Sequence, residues 1–189
     1  MVVLLIPVAG FMIYFMYYSR NLPKKFIKRL DELNDVKIKD DTEEFALLEQ
    51  TDILAYRQAL QICRTSNTHL YKNTRTTYFE IGEKMHSAML EDLKSAEKFI
   101  FMEYFIIEEG VFWNSILDIL KEKVNEGVEV KVVYDDIGCM STLPGDYYKQ
   151  LGNMGIRAVP FSRLRGQANN EFNNRSHRKI MVIDGKIGY

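Results

Sequence analysis

His177-Arg178-Lys179-Ile180-Met181-Val182-Ile183-Asp184-Gly185-Lys186-Ile187-Gly188-Tyr189 carries a polar head, an apolar body and a turn signal in one short run. Side chains on a strand alternate between its faces, so Ile180 to Ile183 fill both and predict a buried strand. Asp184-Gly185 is a strong hairpin signal, and Lys186 to Tyr189 then begin the returning strand. His177 and Lys179 stand two apart and point to one face at the strand's head. An imidazole beside an ammonium at the end of a buried strand makes a cationic, partly desolvated corner. Arg163, Arg165, Arg175 and Arg178 add positive charge nearby in sequence, against Glu171 alone. Such a corner suits a phosphate.

Working back from this strand, the pattern alternates strand and helix from Thr76 onward. Thr77 to Ile81 reads as a short strand, followed by a helix from about Glu83 to Lys98 with Met85, Met89, Leu93 and Ala96 on one side. Phe99 to Ile107 is a nearly continuous apolar run of buried-strand length. Trp113 to Asn125 reads as a helix with Ile116, Ile119, Leu120 and Val124 inward and Gly127 as its stop. Val128 to Tyr134 and Ile156 to Phe161 read as strands, and Asp146 to Met154 as a short helix between them. This order predicts an α/β layered domain over residues 76–189 with a largely parallel or mixed sheet.

The other end of the chain is of a different kind. Val2 to Tyr18 has no charged residue. As a helix it spans about 26 Å, slightly short of a hydrocarbon core. Pro7 and Gly10 are tolerated in membrane helices. A secretory signal would carry its positive charge before the apolar run. Here Arg20, Lys24, Lys25, Lys28 and Arg29 follow it, which puts the N-terminus outside and the rest in the cytoplasm. Residues 1–18 therefore read as a transmembrane helix, with Tyr17 and Tyr18 at the interface; a buried core helix is the alternative for a run this short. Residues 19–75 read as a basic juxtamembrane segment and a partly helical linker. Its acidic stretch, Asp31 to Glu44, is a solvated face; Phe45 to Leu60 is loosely helical, with Thr51-Asp52 as a cap. Ser66 to Thr77 is polar and turn-like.

Composition narrows the function classes. The chain has 189 residues, 47% of them hydrophobic, with 25 basic against 26 acidic side chains. That length allows one globular domain plus an appendage. A net charge of −1 argues against a protein that coats nucleic acid. Cys63 and Cys139 lie far apart, which excludes a disulfide scaffold and a cysteine-rich zinc site. His69, His86 and His177 leave little room for a metal cluster, and only His177 has a catalytic context.

The spacing His177-x-Lys179-x-x-x-x-Asp184 resembles the HKD motif of the phospholipase D superfamily. Its surroundings, Asn174 to Gly188, are similar to bacterial cardiolipin synthases, as are Glu103-Tyr104-Phe105-Ile106-Ile107 and Gly127-Val128-Glu129-Val130 leading to Tyr134-Asp135-Asp136-Ile137-Gly138. The resemblance covers most of the chain. It implies a phospholipase D-like layered domain with a mixed sheet flanked by helices, preceded by the transmembrane helix. Such enzymes usually carry two N-terminal spans, where this chain has room for one, and a second HKD motif, where this chain has one. The Gly-Gly and Asn expected shortly after the first motif are absent. The chain is thus expected to be the first, C-terminally incomplete half-domain of a longer enzyme, holding one of two half-sites; a one-motif dimer is the alternative.

The resemblance implies phosphatidyl transfer between two phosphatidylglycerol molecules, through a phosphatidyl-histidine intermediate, to give cardiolipin and glycerol at the cytoplasmic side of the cell membrane. His177 is assigned as nucleophile or acid–base and Lys179 as phosphate clamp. Asp184 is either a direct participant or a turn residue. Asn174, Arg175 and Glu103 are further candidates around the phosphate. Glu103, a carboxylate in an apolar strand, either orients an imidazole or pairs with an arginine or backbone donor. Asp135 and Asp136 end a strand, where ligands of α/β sheets bind, yet they are also ordinary turn residues. No cofactor and no metal are implied. The expected partners are phosphatidylglycerol, membrane lipid and a second HKD half, and no nucleic acid. Two other classes stay open: a phosphodiester hydrolase of phospholipase or nuclease type working as a dimer, and an inactive membrane-anchored fragment.

Overall fold

Phe99–Tyr104 forms β1, the middle strand of a five-stranded sheet whose order is β3-β2-β1-β4-β5. A computed structural model describes residues 8, 10–12, 28, 42–66, 68–163 and 175–189. The sheet and its helices lie in a unit that begins at Phe79; a separate unit ends at Tyr78. In that separate unit, helices α1 (Thr42–Thr51) and α2 (Ile53–Ser66) are adjacent in sequence. The Asp52 carboxylate caps α2 by accepting the backbone N–H groups of Leu54 and Ala55, each at 3.0 Å, as expected of Asp before a helix.

In the sheet unit, α3 (Gly82–Lys94) precedes β1, α4 (Val111–Asn125) leads to β2 (Glu129–Asp135), and α5 (Tyr147–Asn153) leads to β3 (Arg157–Phe161). Strands β4 (Ile180–Ile183) and β5 (Ile187–Gly188) complete it. β1, β2 and β3 run parallel, whereas β4 lies antiparallel on the free edge of β1, pairing Glu103 with Ile180 and Ile100 with Ile183. The sheet is therefore mixed. Ile100 and Met102 of β1, Val130 and Val132 of β2, and Met181 and Ile183 of β4 share the buried face. Helix α3 covers it with Met89 and Leu93, and α4 with Ile116 and Leu120. Burying side chains of this size contributes about 1.5–3 kcal/mol each, which holds β1 firmly at the centre.

Several sequence expectations need correction. Thr77–Ile81 is not a strand: both edges of β1 are already taken by β2 and β4, and the segment runs as connecting chain. Its anchor is Phe79, whose ring stacks on Tyr189. Helix α3 stops at Lys94 rather than Lys98: the Ser95 and Ala96 N–H groups close its last turn on Asp92 and Leu93, and those of Glu97, Lys98 and Phe99 all turn to the Asp184 carboxylate. Strand β1 stops at Tyr104 rather than Ile107, where the Phe105 carbonyl meets Gly138 so closely that a Cβ there would lie 2.3 Å from it. His177 and Lys179 precede β4 instead of belonging to it. The transmembrane helix and basic segment expected over residues 1–41, together with Arg165, Glu171 and Asn174, lie outside the described residues apart from 8, 10–12 and 28. Among the described residues, no helix is long and apolar enough to cross a membrane.

Candidate active site

Because β4 is antiparallel to β1, the residues just before Ile180 arrive at the carboxyl ends of the parallel strands, where α/β sheets bind ligands. Lys179 Nζ lies 3.1 Å from His177 Nδ1 and donates to the His177 carbonyl at 2.9 Å. An ammonium group has only donors, so Nδ1 accepts and the proton of the neutral ring sits on Nε2. Phe105, the first residue beyond β1, backs both groups. Its ring centroid is 4.6 Å from that of His177 and 5.3 Å from Lys179 Nζ. The aromatic face attracts the ammonium and shields one side of the imidazole from water.

Two carboxylates hold the segment that presents this pair. Glu103, on β1, accepts a short hydrogen bond from the Ser176 hydroxyl and pairs with Arg178 Nη2 at 3.0 Å. Asp135, at the end of β2, is fully buried and accepts from the Ser176 N–H at 3.4 Å, Arg175 Nη1 at 3.4 Å and the Gly138 N–H at 2.9 Å. Arg175 Nη1 also donates to the Ser162 carbonyl at 3.1 Å. Residue 176 is thus fastened by its hydroxyl to one strand and by its main chain to the next. His177 follows directly. On the other side, the turn after β2 fixes the chain beyond Phe105: Ile107 N–H donates to Cys139 Sγ at 3.1 Å, and Thr142 Oγ1 donates to the Ile107 carbonyl at 2.6 Å. Burial pushes the Cys139 thiol up, and the Tyr104 and Tyr134 hydroxyls up to about 12, so all three stay neutral at physiological pH.

Asp184 is elsewhere. The length of β4, about 13 Å, separates it from Lys179. Its carboxylate accepts the N–H groups of Glu97, Lys98 and Phe99 at 2.8–2.9 Å, and the Phe99 and Glu97 bonds hold its pKa below the usual value. Arg163 is also apart from the corner, donating to the Tyr148 hydroxyl at 3.1 Å. The structure therefore brings together His177, Lys179, Arg175 and Glu103 and does not bring Asp184 to them. Among the described residues no group of His, Cys, Asp and Glu side chains converges to hold a metal ion.

Residues 89–189, all the described site residues among them, match the protein family described as cardiolipin synthase, PLD-like domain. The chain belongs to that family. Over its whole length it is 33% identical to a cardiolipin synthase of Oceanobacillus iheyensis and 31% identical to cardiolipin synthase 1 of Staphylococcus epidermidis, covering 41% and 40% of them. It is 38% identical to an uncharacterized protein of Streptococcus mutans, covering 42% of it. The chain thus spans about two fifths of the length of these curated relatives. Among solved structures it resembles Nuc of Salmonella typhimurium, a phospholipase D family member, at 22% identity over 52% of this chain and 56% of that one, with a TM-score of 0.38, too slight a likeness to argue from.

In this cardiolipin synthase family member, three contributors escape a reading of residue types alone. Ser176 looks like a filler beside His177, Asp135 like a turn residue, and Phe105 like core. A carboxylate closing an apolar strand, at Glu103 and again at Asp135, is the one signal available in sequence, since a buried charge demands a partner.

Proposed function

We propose that this chain supplies one half of a phosphatidyl-transfer site that joins two phosphatidylglycerol molecules into cardiolipin and releases glycerol. The observation that carries this reading is the His177–Lys179 pair, backed by Phe105 and fastened through Ser176 at the carboxyl edge of the sheet. An imidazole nitrogen attacks phosphorus, a P–N bond forms, and the P–O bond to glycerol breaks. A second histidine, from the other half-site and protonated as an imidazolium, gives a proton to the leaving alkoxide and becomes a neutral imidazole. That same imidazole then takes the proton of the incoming hydroxyl, whose oxygen displaces the histidine. Lys179 and its counterpart neutralise charge growing on the non-bridging oxygens.

The resting geometry bears on which role His177 takes. With Lys179 donating to Nδ1, the ring is held in one tautomer; to act as the acid it must be an imidazolium, protonated on both nitrogens, which also requires Lys179 to leave Nδ1. For His177 to be the nucleophile, an arriving phosphate must first draw Lys179 away, freeing Nδ1 to carry the proton and Nε2 to attack. Arg175, Ser176, Glu103 and Asp135 act as positioning residues. Asp184 acts through the turn and the start of β1.

The second half-site comes from the remainder of a longer protein or from a second copy, a reading supported by the two-fifths coverage of the relatives. Residues 1–18 anchor the site at the cytoplasmic face of the membrane. With Cys63 and Cys139 replaced and a single cysteine placed at Asn67, a membrane-impermeant thiol reagent added to intact cells is expected to leave the protein unlabelled; labelling would reverse the orientation. The activity itself is tested by mixing the chain with the C-terminal half of a two-motif relative in phosphatidylglycerol liposomes. Cardiolipin plus glycerol is the expected product. Phosphatidic acid plus glycerol would make the site a hydrolase instead.

A further inference from the structure

Immediately beyond Phe105, residues Tyr104, Ile106, Ile107, Val111, Phe112 and Trp113 line a groove of about 420 Å³ between the end of β1 and the start of α4. Three of its apolar lining residues face solvent: Val111 is 87% exposed, Ile106 49% and Phe112 41%. The groove is also preformed. Trp113 Nε1 donates to the buried Tyr147 hydroxyl at 2.7 Å, and the Phe112 ring stacks on His86 at 4.5 Å, itself 2.9 Å from Ser115 Oγ.

Charge decides what part of a ligand lies where. Glu108 and Glu109 line the same groove, whereas Lys179 lies over the ring of Phe105, the residue between the lining residues Tyr104 and Ile106. A phosphodiester is repelled from the groove and drawn to the histidine, and a neutral hydrocarbon is the part that can enter. We propose that this groove binds an acyl chain of the phospholipid whose phosphodiester meets His177. The inference rests on the lipid-transfer reading, and it makes Ile106, Val111 and Phe112 the residues that seat the lipid.

Trp113 is the only tryptophan of the chain and lies in the groove, which gives a direct probe. The full chain is placed in phosphatidylcholine vesicles containing phosphatidylglycerol with brominated acyl chains, since bromine quenches indole emission on contact. Trp113 emission is expected to fall relative to unbrominated lipid. In Ile106→Glu and Val111→Glu, both at exposed positions and checked for fold by circular dichroism, the quenching is expected to be lost. Met140→Glu, at an exposed position outside the groove, is expected to keep it. No quenching in the wild type, or undiminished quenching in both groove variants, would overturn the proposal. So would quenching by a free brominated fatty acid but not by the phospholipid. Quenching without cardiolipin formation on adding a second half would sink the transfer reading and leave the groove standing; transfer without quenching would do the reverse.

Discussion

At the scale of single residues, His177 and Lys179 differ in what can replace them. A covalent P–N bond has no substitute, whereas a lost clamp is partly covered by the neighbouring, exposed Arg178. With a complementing C-terminal half present, His177→Ala is expected to abolish cardiolipin formation, and Lys179→Ala to lower its rate by about 10²–10³ while leaving a residue. Radiolabelled phosphatidylglycerol measures both, and full activity in His177→Ala would remove the motif from the chemistry. Asp184 makes a different prediction. Its folded pKa lies below the ordinary 3.8. Its contribution to stability is therefore present above that value and is lost as pH falls through the lower native one. Asp184 and Gly185 both have positive φ, at 53° and 68°, as the tight turn requires, and Asn tolerates that backbone as well as Asp does. Asp184→Asn should keep the turn but lose the charge, lowering the denaturation midpoint at neutral pH and converging on the wild type only as pH falls through the depressed native pKa of the carboxyl. A constant gap across that range would deny the carboxylate its role. The reactive pair was legible in the sequence because its two residues stand two apart, a local spacing, although they precede β4 and the expected strand alternation does not place them. The work of Asp184 and Glu103 was not: their partners lie more than 70 residues away, and no periodicity reports them.

At the scale of elements, the apolar runs named the strands and helices well, while their ends were set by contacts that sequence does not display. Helix periodicity carries on to Lys98, yet α3 yields three backbone donors to a carboxylate from the hairpin. Thr77–Ile81 has strand-forming residues yet pairs with no strand of the sheet, so tertiary context overrides propensity. The end of β1 is the most consequential of these boundaries, because Phe105 must leave the sheet there to reach His177 and Lys179. Gly138 permits it by letting the Phe105 carbonyl approach. Gly138→Ala inserts a methyl where only hydrogen fits, and overpacking of this kind costs about 1–3 kcal/mol. Denaturation followed by Trp113 emission is expected to show that loss, together with reduced transfer in the complemented assay, since the displaced Phe105 no longer backs the imidazole. Unchanged stability would mean that the 138–142 turn is free to move away at no cost.

At the scale of the molecule, the arrangement is one cationic corner built from three strands, each contributing what it does not need for packing. β1 supplies Glu103 and then Phe105, β2 supplies Asp135, and the approach to β4 supplies Arg175 through Lys179. Everything converges on a single imidazole. Phosphoryl transfer with a covalent intermediate needs a second group to protonate the leaving alkoxide and later deprotonate the acceptor. Lys179 is a poor candidate for that task, because a cation held between the His177 carbonyl, Nδ1 and an aromatic face serves better charged than neutral. Residues 1–189 alone are therefore expected to make no cardiolipin in phosphatidylglycerol liposomes, and to make it once the C-terminal half of a two-motif relative is supplied. The His177→Ala form of the chain should fail in that mixture, which ties any product to this site and not to the added half. Cardiolipin made by the chain alone would mean that two copies assemble a working site, with His177 of each taking one of the two roles; activity should then rise with the square of protein concentration at high dilution, and mixing wild-type with His177→Ala chains should poison it.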